Sequence, residues 1–444
     1  MRGTCFTKPL VAAAVVTAAV AFGANVDASL TGLIQSRPVM MNGEAQTFAP
    51  FFAQVGLNAS DINAGPVEDI HVGLGAWGRV SLTGEQAAGD VDLAFVSGKL
   101  FDKHLTVTLG RQFRAGGAFR ALQVDGASVD VALPGRLGVT AFGGLPVIPR
   151  FAVARGDAVW GARLYWRPNW DTEIGASYFE MMDHGYTARR DVGIDGRTEL
   201  FHHLNLAGMA VLSAVEGRLV EAEISPGWRV SDKVEITGQF RHTSPDLLLP
   251  RTSILSVFAQ TVHNHGGLGV AYDPSAHFSA AVDAKLIGGP NEPLGYEVSG
   301  LASVRPLRNT RATLQAVRLG LPENGYTRVR LAGGQTLGML TLSLDLDGYF
   351  LDQPVNGVKQ SFTVAATGRM ALPANFDVVL SGLYATDPFF QQRWEVMGRL
   401  VYTFRISSRS ADEQRAEKKE GDEKKEAKDE EKADVKKGSK EEAK

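Results

Sequence analysis

The chain has 444 residues, enough for two or three soluble domains or for one large barrel. Hydrophobic residues make up 44% of the chain, yet after the first few dozen residues no apolar run approaches the ~18 residues that a membrane-spanning helix needs. The formal net charge of -3 is too small to indicate a nucleic-acid partner, and we expect none.

The first residues have the order of a signal peptide. Arg2 and Lys8 precede an apolar stretch, and small residues follow at the positions that a signal peptidase reads. We therefore predict that residues 1–28 are removed on export. Cys5, the single cysteine, would be lost with them, so we expect the mature chain to have no disulfide and no cysteine-bound metal.

From residue 29 to residue 405 the dominant pattern is alternation of apolar and polar side chains in segments of about ten residues. In residues 338–350, leucines occupy alternate positions, and Thr, Ser and Asp lie between them. Residues 233–243 and 277–286 show the same pattern. Successive side chains of a strand point to opposite sides, so each segment predicts a strand with one apolar and one polar face.

The links between these segments alternate in length. Turns rich in Pro, Asn and Asp occur at every second junction, and generally longer links lie between them, over residues 144–157, 183–190, 242–266, 288–295, 352–359 and 386–393. This alternation is typical of a barrel whose two rims face different compartments. We count about 20 to 22 strands, within a range of about 18 to 22, over residues 29–406.

Alternation also suits a soluble β-sandwich or a propeller, so the membrane interpretation needs further support. The apolar faces consist of small and aliphatic residues with aromatic residues at the ends. In the last segment, Gly398, Leu400, Tyr402 and Phe404 alternate and end in an aromatic residue. This segment resembles the C-terminal assembly signal of outer-membrane barrel proteins, although residues 405–444 follow it. The resemblance implies recognition by the barrel assembly machinery.

Together, the signal peptide, the succession of hairpins and the last strand resemble the porin-like bacterial outer-membrane β-barrel proteins. The resemblance covers nearly all of the mature chain, but it assigns no specific porin family. It implies an all-β, transmembrane, antiparallel up-and-down barrel in contact with outer-membrane lipid. We found no catalytic motif, phosphate-binding loop or metal-ligand spacing, so we expect no enzyme activity, cofactor or metal.

Residues 407–444 differ from the rest of the chain. They are rich in Lys and Glu, carry nearly balanced charge and have no aromatic residue. Such a segment cannot bury enough apolar area to fold, so we predict a disordered periplasmic tail. It is either a solvated tail without a specific role or a tether for periplasmic export or anchoring proteins.

The polar faces predict the lining of the lumen. Charged side chains line a water-filled pore when the barrel is wide, or they pair across strands and stiffen the wall. The ion preference stays open because both signs occur. The candidate pore-lining residues are Arg79, Asp130, Arg163, Glu221, Glu223, Glu235, Arg241, Asp283, Lys285, Arg328, Arg330, Asp345, Asp347 and Arg369.

The longest link, residues 243–267, is unusually apolar. Its candidate constriction residues are Leu247, Leu248, Leu249, Ile254, Leu255 and Phe258. An apolar link of this length is costly in water, so it should fold onto another part of the protein. We predict that it folds into the barrel mouth, with a short helical turn at residues 253–260. The alternative is an ordinary surface loop packed on its neighbours. Deleting residues 247–260 should raise the conductance if the first prediction holds.

Three functions remain open at this stage. The first is a channel that passes hydrophilic solutes across the outer membrane. The second is a conduit that exports a polysaccharide or another polymer with periplasmic partners, and the third is a barrel that anchors an envelope complex. The first predicts conductance from the purified protein alone. The second predicts little conductance until loops move, together with loss of a surface polymer on deletion, and the third predicts no pore and no transport defect.

Overall fold

The computed structural model describes residues 25–41, 44–81, 87–147, 157–248, 262–290, 293–388 and 392–406. Nearly all of them lie in strands. The strands are β1 (Asn25–Met41), β2 (Glu44–Phe48), β3 (Pro50–Ala64), β4 (Val67–Ser81), β5 (Ala88–Leu100), β6 (Leu105–Arg114), β7 (Leu122–Leu133), β8 (Leu137–Pro146), β9 (Ala158–Trp166), β10 (Glu173–Asp183), β11 (Tyr186–Leu200), β12 (Leu204–Ser213), β13 (Arg218–Ser231), β14 (Val234–Thr243), β15 (His263–Ser275), β16 (Phe278–Gly288), β17 (Gly295–Leu307), β18 (Thr310–Gly320), β19 (Tyr326–Leu337), β20 (Leu340–Val355), β21 (Val358–Leu372), β22 (Phe376–Thr386) and β23 (Arg393–Ile406). The short helices are α1 (Pro245–Leu248) and the 3₁₀ turns Gly117–Phe119 and Pro134–Arg136.

These strands form one closed barrel. Antiparallel pairings join each strand from β3 to β23 to the next one along the chain, and β1 pairs with both ends of this order. Val26 of β1, for example, faces Ala59 of β3 on one side and Ile406 of β23 on the other. In the described part of the chain β2 pairs with the end of β1, and the other twenty-two strands form the wall. The predicted antiparallel up-and-down barrel and its strand number are therefore confirmed.

Tight turns join the strands at the rim where β1 begins and β23 ends, which we call the tight-turn rim. In several of these turns a residue with positive φ reverses the chain, as Gly65 (60°), Gly338 (60°) and Asn375 (62°) do. Glycine and asparagine enter this left-handed region more easily than other residues. Pro50 is the first residue of β3, a position where its missing N–H costs little.

The opposite end of the barrel, the long-link rim, holds the longer connections. Two links differ from the sequence prediction, because the strands extend across residues 183–190 and 352–359 until only a tight turn remains. These turns are His184-Gly185, with φ of 51° and 75°, and Asn356-Gly357, with φ of 50° and 79°. Two successive positive φ angles are typical of type I′ turns, whose twist matches that of the flanking strands.

The two faces of the wall differ in polarity. On β16, Val282 and Leu286 are 57% and 58% exposed on one face, whereas Asp283 and Lys285 alternate with them on the other. The same division recurs on β15 and β22, where Leu268 and Leu380 leave 69% and 62% of their surface exposed. No helix among the described residues is long and apolar enough to cross a membrane.

The predicted terminal segments are only partly described. Strand β1 begins at Asn25, so residues 25–28 of the predicted signal peptide take part in the barrel wall, and Asp27 forms an ion pair with Arg405. Residues 1–24 and the predicted tail, residues 407–444, lie outside the described residues. Cleavage after residue 28 and the disorder of the tail therefore stay predictions.

Close approach of neighbouring strands gives a first testable expectation. A Cβ atom at Gly126 of β7 would lie 2.1 Å from the carbonyl oxygen of Gly143 on β8, so the two backbones would have to separate. Gly126→Ala should lower the free energy of unfolding by about 1 to 3 kcal/mol, the usual cost of overpacking. Urea titration of the refolded protein measures this loss.

Gly300→Ala on β17 is the matched control, because a Cβ atom there meets no heavy atom within 4 Å. It should leave the free energy of unfolding unchanged or slightly raised. Equal losses in the two variants would contradict the proposed role of close strand packing at Gly126.

Candidate functional site

One link of the long-link rim identifies the inner face of the barrel. Residues 115–121 join β6 to β7 and contain the 3₁₀ turn Gly117–Phe119, which contacts β10, β11 and β12. Those strands lie farther around the wall, and a chord between distant points of a closed cylinder runs through its interior. We call residues 115–121 the inward link. The face that it contacts carries the polar side chains and is the lining of the lumen.

Specific contacts hold the inward link in place. The N–H of Ala118 donates a hydrogen bond of 2.8 Å to Oγ of Ser177 on β10. Arg120 forms an ion pair with Glu221 on β13. Gly117 has a φ of 50°, and a Cβ atom there would lie 2.1 Å from Oγ of Ser177. Glycine is therefore the residue that permits this approach of the link to the wall.

Apolar packing adds to these contacts. The ring of Phe119 meets Phe142 of β8 edge-on, with centroids 5.0 Å apart, and both rings are buried. They belong to a buried group, here called the inner cluster, that joins the link to the wall. Its members are Ala118, Phe119, Val124, Phe142, Val159, Phe179, Met181, Ala188, Val211 and Val220. Such a cluster inside a polar lumen removes apolar area from water and fixes the link against the wall.

The predicted constriction loop reaches the same cluster. Leu247 and Leu248 lie at the end of α1 and pack against the inner cluster. Leu249, Ile254, Leu255 and Phe258, and the predicted helical turn at residues 253–260, lie outside the described residues. The start of this loop therefore adds to the obstruction that the inward link creates, while its effect on a pore stays a prediction.

A buried ion-pair network borders the inner cluster. The side chain of Glu221 is only 1% exposed, and it contacts Arg120 of the inward link and Arg241 of β14, whose Nη2 lies 2.6 Å from Oε1. Arg189 and Asp191 of β11 form a second ion pair nearby, with Asp191 fully buried. Carboxylates this far from water need such partners to remain charged. The ion pair between Arg120 and Glu221 therefore holds the inward link to the wall.

The fourteen predicted pore-lining residues all occupy inner-face register positions. Arg163 faces Ser177, the residue that holds the inward link, and the same alternation continues from strand to strand. The predicted residues are Arg79, Asp130, Arg163, Glu221, Glu223, Glu235, Arg241, Asp283, Lys285, Arg328, Arg330, Asp345, Asp347 and Arg369. Their role in permeation stays a prediction.

Many of these charges are paired across strands. On β19 and β20, Nη2 of Arg328 lies 2.7 Å from Oδ2 of Asp347, and Nε of Arg330 lies 2.9 Å from Oδ1 of Asp345. Farther along the lumen, Lys285 contacts Glu297 at 3.4 Å. Such pairs neutralise most of the local field, so this wall offers polar groups without a strong preference for one sign. The pairing alternative raised by the sequence therefore describes this part of the wall.

The last strand places its predicted assembly signal on the outer face. Leu400 and Phe404 are 47% and 37% exposed, and Gly398 and Tyr402 share their face. Tyr402 packs against Phe376 of β22 with ring centroids 4.6 Å apart. The four residues thus lie beside the seam where β23 meets β1. Recognition of this strand by the assembly machinery stays a prediction.

Sequence reasoning missed the inward link. The sequence feature that could have indicated it is the pair Gly116-Gly117 followed by Phe119 and Arg120. A turn in water does not require a large aromatic side chain beside two glycines. No group of three potential metal-binding side chains occurs among the described residues.

Comparisons with known proteins gave structural likenesses only. No protein-family model and no curated protein matched the chain. The P pilus usher (PapC) translocation pore matches with a TM-score of 0.48 and 10% identity, over 86% of this chain and 100% of that one. OccK3 (OpdO) of Pseudomonas aeruginosa matches with a TM-score of 0.44 and 8% identity, over 86% and 96%. The outer membrane protein opdK of the same organism matches with a TM-score of 0.44 and 10% identity, over 86% of this chain and 99% of that one.

Proposed function

We propose that the chain is a porin-like channel that passes hydrophilic solutes across the bacterial outer membrane. The observation that carries the proposal is the inward link, which folds into a polar lumen and is fastened to β10 to β13 on the same side of the wall. A barrel that serves only as an anchor has no need for such a segment.

The size of the barrel supports a channel with a constriction. Twenty-two strands at the usual spacing and tilt give a barrel about 40 Å across between opposite backbones. Side chains alone cannot fill a lumen of this width. The inward link and the start of the 243–267 loop obstruct the side formed by β6 to β14. Among the described residues, the path left open runs along β15 to β23, where the paired charges of the lumen wall lie.

The outer face supports a membrane location. Its exposed Leu, Val, Ile and Phe side chains form a band that is costly in water and favourable in hydrocarbon. In this orientation the tight-turn rim faces the periplasm, as is usual for such barrels. The tail from residue 407 would then extend into the periplasm, where it could tether a partner protein.

Two leucines of β22 test the assignment of faces. Leu380 is 62% exposed on the outer face, and Leu383 points to the inner face beside Glu395. Leu380→Arg should lower the free energy of unfolding from lipid bilayers by about 2 to 4 kcal/mol, the cost of a lipid-facing arginine near the midplane. Leu383→Arg, the control, should lower it by far less. Urea titration in vesicles measures both, and similar losses would contradict the membrane assignment.

Single-channel recording of the refolded protein in planar bilayers tests the function itself. Stable open steps without any partner protein are expected from a solute channel. A folded barrel that inserts but stays closed would contradict the proposal and favour an export conduit or an anchor.

A further inference from the structure

A cavity of about 580 Å³ lies inside the barrel beside the inward link. Ala115 and Gly116 of the link form one wall, and inner-face side chains of β9 to β13 form the others. Its volume lies within the range of small-molecule sites. The cavity differs from the paired wall at β15 to β23. Its arginines lie on the side formed by β9 to β11, whereas Glu223 lies across the cavity on β13.

The side formed by β9 to β11 has an excess of positive charge. Arg163 contacts Glu173 at 2.7 Å and Asp195 at 2.5 Å, and Nε of Arg167 lies 2.6 Å from Glu173. Arg197 also approaches Glu173, but only to 3.9 Å, and its side chain is 71% exposed. Three guanidinium groups thus share two carboxylates. Arg197 keeps N–H donors that can face a solute.

The side formed by β13 has a carboxylate with spare capacity. Oε1 of Glu223 accepts a hydrogen bond of 3.3 Å from Ser225, and Oε2 lies 3.8 Å from Arg241, beyond hydrogen-bond distance. Arg241 makes its close contact with Glu221 instead, at 2.6 Å. The negative charge of Glu223 is therefore only partly balanced. Between the basic and acidic sides, Met209 of β12 supplies an apolar floor.

We propose that this cavity binds zwitterionic solutes, namely amino acids or short peptides with free termini. The carboxylate of the solute contacts Arg197, its ammonium group contacts Glu223, and its carbon chain lies over Met209. A solute with a single charge satisfies one side only, and a neutral sugar gains nothing from the separation of charge. The inference rests on the proposed channel function, because it identifies the class of solute that the lumen takes up.

Calorimetric titration of the refolded full-length protein in detergent tests the site without requiring conductance. The probes are alanyl-alanine, N-acetyl-alanyl-alanine and alanyl-alanine amide. Alanyl-alanine should bind about ten-fold more tightly than either blocked probe, since each blocked probe loses one charged hydrogen bond. Equal binding of the three probes, or equally tight binding of maltose, would overturn the proposal.

Two substitutions separate the two ends of the site. Arg197→Gln should abolish the advantage of alanyl-alanine over its amide, and Glu223→Gln should abolish its advantage over the N-acetyl probe. Arg311→Gln is the control, because Arg311 is an inner-face arginine of β18 that contacts Ser303 outside the cavity. It should bind all probes as the wild type does, and losses equal to those of Arg197→Gln would contradict the site. Conductance without dipeptide binding would refute the site alone, and binding without conductance would refute the channel alone.

Discussion

Replacing the inward link, residues 115–121, by an Asn-Gly turn should raise the single-channel conductance several-fold. Among the described residues the link is the main segment that projects into the lumen, and its removal opens the side formed by β6 to β14. The replacement is geometrically feasible because Arg114 and Leu122 are register partners at the ends of β6 and β7. An Asn-Gly turn joins such partners without separating the strands. Planar bilayer recording of the refolded variant measures the change.

The link between β18 and β19, residues 321–325, provides a matched control at the same rim. Together with Gly320 it joins the register partners Leu319 and Tyr326, and Asn324 within it contacts Gln353 of the neighbouring hairpin. Replacing residues 320–325 by the same Asn-Gly turn should leave the conductance unchanged. If both variants conduct as the wild type does, the inward link does not narrow the path that ions take.

Glu221→Gln should lower the free energy of unfolding by about 3 kcal/mol, as expected when one partner of a buried ion-pair network is removed. The substitution leaves Arg120 and Arg241 without their shared counter-charge in a place where Glu221 itself is 1% exposed. It should also loosen the inward link, because Arg120 is the charged contact between that link and β13. We therefore expect more frequent fluctuations of the open-channel current together with a lower urea midpoint.

Asp345→Asn is the control for this variant. Asp345 and Arg330 form a comparable pair on the opposite part of the lumen wall, but their side chains are 31% and 40% exposed. Pairs open to water contribute at most about 1 kcal/mol. The control should lower the stability slightly and leave the current steady. Equal effects of the two substitutions would show that burial of Glu221 is not what makes its pair important.

The wall of the barrel was predictable because each strand and turn is determined by residues that are close together in the sequence. In a strand, each side chain points opposite to its neighbour, so the alternation of Val282 and Asp283 already assigns them to different faces. Turn residues such as Asn375 mark where the chain reverses. The sequence therefore predicted the antiparallel order and the strand number.

The interior was not predictable in the same way because it depends on residues that are distant in sequence. Gly117 is required by the position of Ser177, and Arg120 has its partner in Glu221. Those contacts exist only once the strands between them have taken their places around the barrel. The apolar character of Leu247 and Leu248 did indicate burial, but the surface that buries them is made of residues from several other strands.

The pairing of β1 with β23 has a consequence for how the protein folds. Most pairings in the wall join strands that follow each other in sequence, so hairpins can assemble progressively with short loop closures. The final contact instead joins residues as distant as Asp27 and Arg405, at opposite ends of the described chain. A chain that lacks its last strand would have two open sheet edges. The N–H and C=O groups of these edges would find no hydrogen-bond partner in hydrocarbon. Only a barrel that contains its last strand can therefore complete its ring of backbone hydrogen bonds.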